Sequence, residues 1–136
     1  MKIKLDKGAF MPTRAHETDA GLDLYTPESF YIKPNGSMVI DTGVHIQLPK
    51  YTVGMLKSKS GLNVKYGLTN EGVIDVGYTG SIRVKMYNHS NTTYYFDVGD
   101  KISQLVILPI ISPHLELVDE LEDTERGDNG FGSSGK

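Results

Sequence analysis

The sequence predicts an all-β chain, folded as a β-sandwich or jelly-roll barrel with at most one short helical turn. Three observations predict it. Apolar and polar residues alternate at period two, as in Val44, Ile46 and Leu48 around His45 and Gln47, the pattern of a strand with one buried face. The 15 glycines and 6 prolines among 136 residues punctuate the chain often enough to separate many short strands. No segment carries a 3.6-residue apolar stripe over ten or more positions, so helical bundles and doubly wound α/β folds have no support.

Taken in order, Ile3 and Leu5 between lysines open the first strand. β-rich runs follow at 29–33 and 37–41, divided by the turn signal Pro34-Asn35-Gly36, then at 44–48 and 52–57. A helical turn is expected near 62–65, with Ser60 as its N-cap. Ile82, Val84 and Met86 alternate with Arg83 and Lys85, and further strands are expected at 92–97 and 101–108. From Glu116 to Glu125 six acids occur in ten residues without a base, and the Gly- and Ser-rich end that follows reads as a flexible linker.

A length of 136 residues fits one domain, and 38% hydrophobic against 23% charged residues is too apolar for intrinsic disorder. The net charge of -3 lacks the basic excess that draws a domain to nucleic acid or anionic lipid, but leaves a free nucleotide open. Without cysteine there is no disulfide, thiolate metal site or cysteine nucleophile. Met1 to Lys7 lacks an apolar signal run, and the apolar run 105–111 is broken by Pro109 and too short to span a bilayer. The expectation is a soluble, cytoplasmic chain. His16, His45, His89 and His114 are scattered without metal-pair spacing and read as structural or exposed.

Four segments carry possible chemistry. Asp19-Ala20-Gly21-Leu22-Asp23-Leu24 reads as a loop of small and acidic residues. Lys57-Ser58-Lys59-Ser60-Gly61-Leu62 places an ammonium, a hydroxyl and backbone N–H groups where a helical turn begins, a set suited to an anion, or else to a solvated connection. In Gly72-Val73-Ile74-Asp75-Val76-Gly77-Tyr78-Thr79-Gly80, Asp75 follows an apolar pair, as a carboxylate base or a turn cap would. Tyr78 is suited to stacking on a sugar or base, or to covering a core edge. Gly99-Asp100-Lys101-Ile102-Ser103-Gln104-Leu105 presents a turn and a strand bearing one amide, Gln104. Neither a P-loop nor a Gly-x-Ser-x-Gly sequence occurs.

In this order the segments, with Arg126-Gly127-Asp128-Asn129-Gly130-Phe131-Gly132-Ser133-Ser134-Gly135 as a fifth, resemble the five motifs of the trimeric deoxyuridine triphosphatases (dUTPases) from residue 19 to residue 135. The resemblance implies a jelly roll that hydrolyses dUTP to dUMP and pyrophosphate by water attack at the α-phosphate. That reaction limits uracil incorporation into DNA and supplies dUMP for dTMP synthesis. It implies Asp75 as the base and Tyr78 as the sugar-stacking ring that excludes a 2′-hydroxyl. Lys59, Ser60, Gly61 and Gln104 would hold phosphate, and Gly72, Ile74 and Asn70 would belong to a uracil-reading hairpin with its turn between Tyr66 and Gly72. Mg²⁺ would ride mainly on the substrate phosphates, with Asp23 ordering its water. Arg126, Phe131, Gly132, Ser133 and Ser134 would close over the nucleotide, residues 119–136 acting as linker and arm onto a neighbouring subunit's site in a homotrimer. No nucleic-acid or membrane partner is expected, while a regulatory protein partner stays open. Lys59 stands where the family usually has arginine, keeping the charge but not the planar fork. A dCTP deaminase of the same fold, with Glu71 as the nearby glutamate, and a nucleotide-sensing module are the alternatives.

Overall fold

The computed structural model describes residues 1–129. Its elements are β1 (Lys2–Leu5), β2 (Gly21–Tyr25), β3 (Phe30–Ile32), β4 (Ser37–Asp41), β5 (Val44–Gln47), β6 (Thr52–Lys57), α1 (Ser60–Tyr66), β7 (Leu68–Ile74), β8 (Arg83–Asn88), β9 (Tyr94–Phe96) and β10 (Lys101–Pro109). A six-stranded sheet runs β2-β10-β6-β7-β8-β4, flanked by the ribbons β1-β5 and β3-β9. Its curled antiparallel strands form a jelly roll, as the sequence predicts.

Alternation explains most of the core. Along β8, Val84, Met86 and Asn88 point inward while Arg83, Lys85 and Tyr87 face out. Ile40, Val44, Ile46, Leu56, Leu68, Ile102 and Leu105 join them, and Phe30 stacks on Phe96 with ring centroids 4.6 Å apart. The buried polar side chains serve as internal ties. Asn88 Nδ2 donates to the Ile32 carbonyl at 2.9 Å, and Thr42 Oγ1 donates to that of Ile82 at 2.7 Å. Among the described residues, no buried side-chain nitrogen or oxygen lacks a partner.

Three local expectations need correction. The segment read as a small-residue loop contains β2, because Asp23 is buried between Leu22 and Leu24 and hides the period-two signal. The stretch read as a hairpin turn between Tyr66 and Gly72 is the end of α1 followed by β7. Its Asn70, Glu71 and Gly72 have little strand preference, but Asn70 is held extended by pairing with β8, and Glu71 and Gly72 by pairing with β6. Ser60 is the first helical residue rather than the cap. Lys59 takes the cap position without a side-chain bond, and Gly67 ends the helix at φ 66.

Candidate active site

The register of β10 assembles the first cluster. Gln104 lies opposite Asp23 of β2 on one side and opposite Lys57 of β6 on the other, putting these side chains on one face. A bulge between Lys101 and Ser103 lets Ile102 and Ser103 both turn inward. The Asp23 carboxylate accepts from Lys59 Nζ through one oxygen and from Lys101 Nζ at 2.7 Å through the other. Burial pushes Asp23 up, yet the hydrogen bonds from Lys101 and Lys59 outweigh it and hold the carboxyl below its ordinary value. The same contact holds the Lys101 ammonium above its ordinary value.

The corner from β6 into α1 is tied down from behind. Gln104 Nε2 donates to the Ser58 carbonyl at 3.0 Å, and the Asn70 amide donates to Ser58 Oγ at 2.8 Å. Asn70 itself is buried: its Nδ2 donates to the Ile102 carbonyl at 3.1 Å and its Oδ1 accepts from Ser103 Oγ at 2.7 Å. Its carboxamide is therefore committed to the core and supports the Ser58–Lys59 corner. Ser60 and Gly61 lie in the first turn of α1, where amides precede the first intrahelical bond, from Asn63 N–H to the Lys59 carbonyl.

A second cluster forms where β7 leaves the sheet. Gly72, Ile74, Asp75 and Tyr78 line a cleft of about 230 Å³, together with Leu56 and Arg83. Asp75 is exposed, and its carbonyl accepts the Tyr78 N–H at 3.1 Å to close a turn that uses Gly77 at φ 98. The Tyr78 hydroxyl donates to the Ser81 carbonyl at 2.9 Å, laying the ring over Gly80, where a Cβ would lie 2.7 Å from Tyr78 Cζ. Only glycine fits under that ring.

The two clusters do not meet within one chain. The β6–β7 ladder pairs Gly54 with Ile74 at one end and Lys57 with Glu71 at the other. Asp75 lies past the first end and Lys59 past the second, roughly 15–20 Å apart along the strands. Arg126 lies in an exposed turn, where its Nε donates to the Asn129 carbonyl at 3.0 Å. Phe131, Gly132, Ser133 and Ser134 lie outside the described residues. Glu71, the deaminase candidate, is exposed on β7 and paired with Lys57, which holds its carboxyl below the ordinary value.

The dUTPase family profile matches residues 7–135. The chain belongs to the dUTPase family. It is 45% identical to the deoxyuridine 5′-triphosphate nucleotidohydrolase of Clostridium kluyveri over 97% of this chain and 94% of that one. The Clostridium novyi enzyme of the same name is 42% identical over 97% and 95%. The Staphylococcus bacteriophage 80alpha dUTPase with dUpNHpp superposes with a TM-score of 0.93 and 35% identity over 99% of this chain and 98% of that one. A mutant dUTPase from phage phi11 of S. aureus, at TM-score 0.83 and 33% identity over 90% of this chain and 98% of that one, coordinates a structural Mg(II) ion. As a dUTPase, the chain carries its motif residues on the β6–α1 corner, on β10 and on the turn after β7. His45, read from the sequence only as structural or exposed, reaches the Thr79 carbonyl of that turn with its ring. Among the described residues no helix is long and apolar enough to cross a membrane.

Proposed function

We propose that this dUTPase hydrolyses dUTP with Asp75 as the base, at sites shared between the subunits of a homotrimer. Exposed Asp75 at the mouth of the cleft beneath Tyr78 carries this reading. The carboxylate takes a proton from water as the water oxygen bonds to the α-phosphorus. The bond to the bridging oxygen breaks, and pyrophosphate leaves with the electron pair. Tyr78, fixed by Ser81 and seated over Gly80, packs against the deoxyribose, while Gly72 and Ile74 floor the cleft that receives the uracil. Lys59, Ser60, Gly61 and Gln104 take the phosphates, where positioning and neutralisation of charge are the main catalytic means.

Two observations support shared sites. The base and the phosphate cluster lie at opposite ends of the β6–β7 ladder, so a nucleotide spanning both needs a second copy. Beyond β10, Leu115 and Leu117 are 97% and 100% exposed, an apolar strand-like run that a neighbouring subunit would cover. In this assembly residues 119–136 form the linker and arm, bringing Arg126, Phe131 and Ser133 over a neighbour's nucleotide.

The residues do not make a direct magnesium site. Among the described residues no three carboxylate or imidazole side chains gather to hold a metal ion, and both Asp23 oxygens are engaged by ammonium groups. Asp23 is better fitted to orient Lys59 and Lys101 than to order metal-bound water. Mg²⁺ brought in by the triphosphate would neutralise the leaving pyrophosphate.

Pyrophosphate release with Mg²⁺ from dUTP, dTTP, dCTP and UTP in parallel tests the reading. Release from dUTP alone, lost in Asp75→Asn, is expected. Ammonia release from dCTP would establish the deaminase instead.

A further inference from the structure

On β5, His45 lies opposite Lys4 of β1, and its ring stands between two oxygen atoms. Nδ1 is 2.8 Å from the Thr79 carbonyl oxygen and Nε2 is 3.0 Å from Asp6 Oδ2. A backbone carbonyl only accepts, and an ionised carboxylate only accepts. A neutral imidazole has one N–H, so it would turn a lone pair toward one of the two oxygens. The doubly protonated ring satisfies both. His45 is also well sheltered, with its side chain 19% exposed.

Thr79 lies between Tyr78 and Gly80, in the turn assigned above to holding the deoxyribose. Gly77 and Gly80 give that turn backbone freedom. Its exit is secured where Ile82 N–H donates to the Val44 carbonyl at 2.8 Å and Ser81 Oγ donates to Asp41. The bond from His45 ties the middle of the turn to the end of β1. We propose that His45 is a positioning residue for dUTP hydrolysis: as an imidazolium it clasps Thr79 to Asp6 and so sets the height of Tyr78 against the sugar. The inference rests on the sugar-packing role proposed for Tyr78.

The surrounding charges set the sense of the pH dependence. From β1, Lys2 and Lys4 line the same cleft, and Lys4 Nζ is 3.7 Å from Asp6 Oδ1. From β4, Asp41, itself paired with Arg83 of β8, bears on Asp6. The turn contributes Thr79, which does not titrate. The hydrogen bond to Asp6 and then that to Thr79 raise His45 above its ordinary value, against partial burial and Lys4. His45 in turn lowers Asp6. The clasp is thus complete below the raised histidine value and opens as pH rises through it.

Two measurements test it. In the ¹⁵N-histidine-labelled full chain, the His45 nitrogens should both carry protons in the bridged state and lose one at a pH above the ordinary histidine value. In His45→Gln, which keeps one donor, KM for dUTP should rise about three- to tenfold, the scale of one ordinary hydrogen bond, with kcat nearly unchanged. UTP should become a relatively better substrate, and the alkaline rise in KM of the wild type should disappear. Asp6→Asn should move that alkaline limb to lower pH. A single neutral tautomer with ordinary titration overturns the clasp, and wild-type KM and pH profile in His45→Gln overturn its positioning role. If the wild type released no pyrophosphate from dUTP, the proposed activity would fall, while the nitrogen spectrum would still decide whether the bridge exists.

Discussion

At the scale of single residues, two aspartates do opposite work because their surroundings differ. Asp75 stands exposed at a strand end, open to water and to a nucleotide. Asn there keeps the shape but not the basicity, so Asp75→Asn should lower kcat by about 10²–10⁴-fold. Affinity for a nonhydrolysable dUTP analogue, read by titration calorimetry, should be nearly preserved. Asp23 is buried with an ammonium on each oxygen. Asp23→Asn leaves two lysines facing a neutral group and should cost about 1–3 kcal/mol in urea unfolding. Since its partners hold Asp23 below the ordinary carboxylate value, this stabilisation is present above that range and fades as pH falls through the lowered value. The gap between wild type and variant should therefore close in acid. Asp75 was singled out in the sequence because an apolar pair precedes it and a Gly-bounded tyrosine follows, while the choice of base over turn cap came from the family resemblance. His45 was not, because its partners, at positions 6 and 79, are far from it in sequence.

At the scale of elements, the turn between β7 and β8 is a small device whose parts depend on one another. Tyr78 occupies the space that any side chain at position 80 would need. Gly80→Ala should therefore displace the ring while leaving the sheet intact. The expected result is a loss of about 10- to 100-fold in kcat/KM for dUTP, with an unchanged circular dichroism spectrum. The strands β4 and β6 follow the limits read from the sequence, because turn signals bound each run of strand-forming residues. The strands β2 and β7 were not legible, for different reasons. In β2 a buried charge sits among the leucines, and only the lysines that neutralise it make that position an interior one. In β7, pairing with β8 along the first half and with β6 along the second overrides the weak strand formers Asn70, Glu71 and Gly72. Asn70, expected at a uracil-reading turn, is instead a core amide bonded to Ile102 and Ser103.

At the scale of the whole molecule, the separation of the proposed base from the proposed phosphate cluster makes the assembly testable by mixing. Asp75→Asn and Gln104→Ala chains, each deficient alone, should recover about a quarter of wild-type activity when refolded together, since random assembly leaves that share of shared sites intact. No recovery would place each site within one chain. Removing residues from Arg126 onward should abolish most turnover while the melting temperature barely changes. Arg126 bonds only within its own exposed turn among the described residues, so its removal leaves the core untouched.

Patterns written along the chain were enough to establish the fold class, the core positions of most strands and the family, because period-two burial and ordered motifs are local. Whatever depends on residues far apart in sequence was settled by the folded arrangement. It joined Asp23 to Lys59 and Lys101, committed Asn70 to the core, held Thr79 through His45, and set Asp75 and Lys59 at opposite ends of one ladder. Charge pairing, burial of a polar group and strand register are fixed by which neighbours the folded chain supplies, and no local pattern names those neighbours.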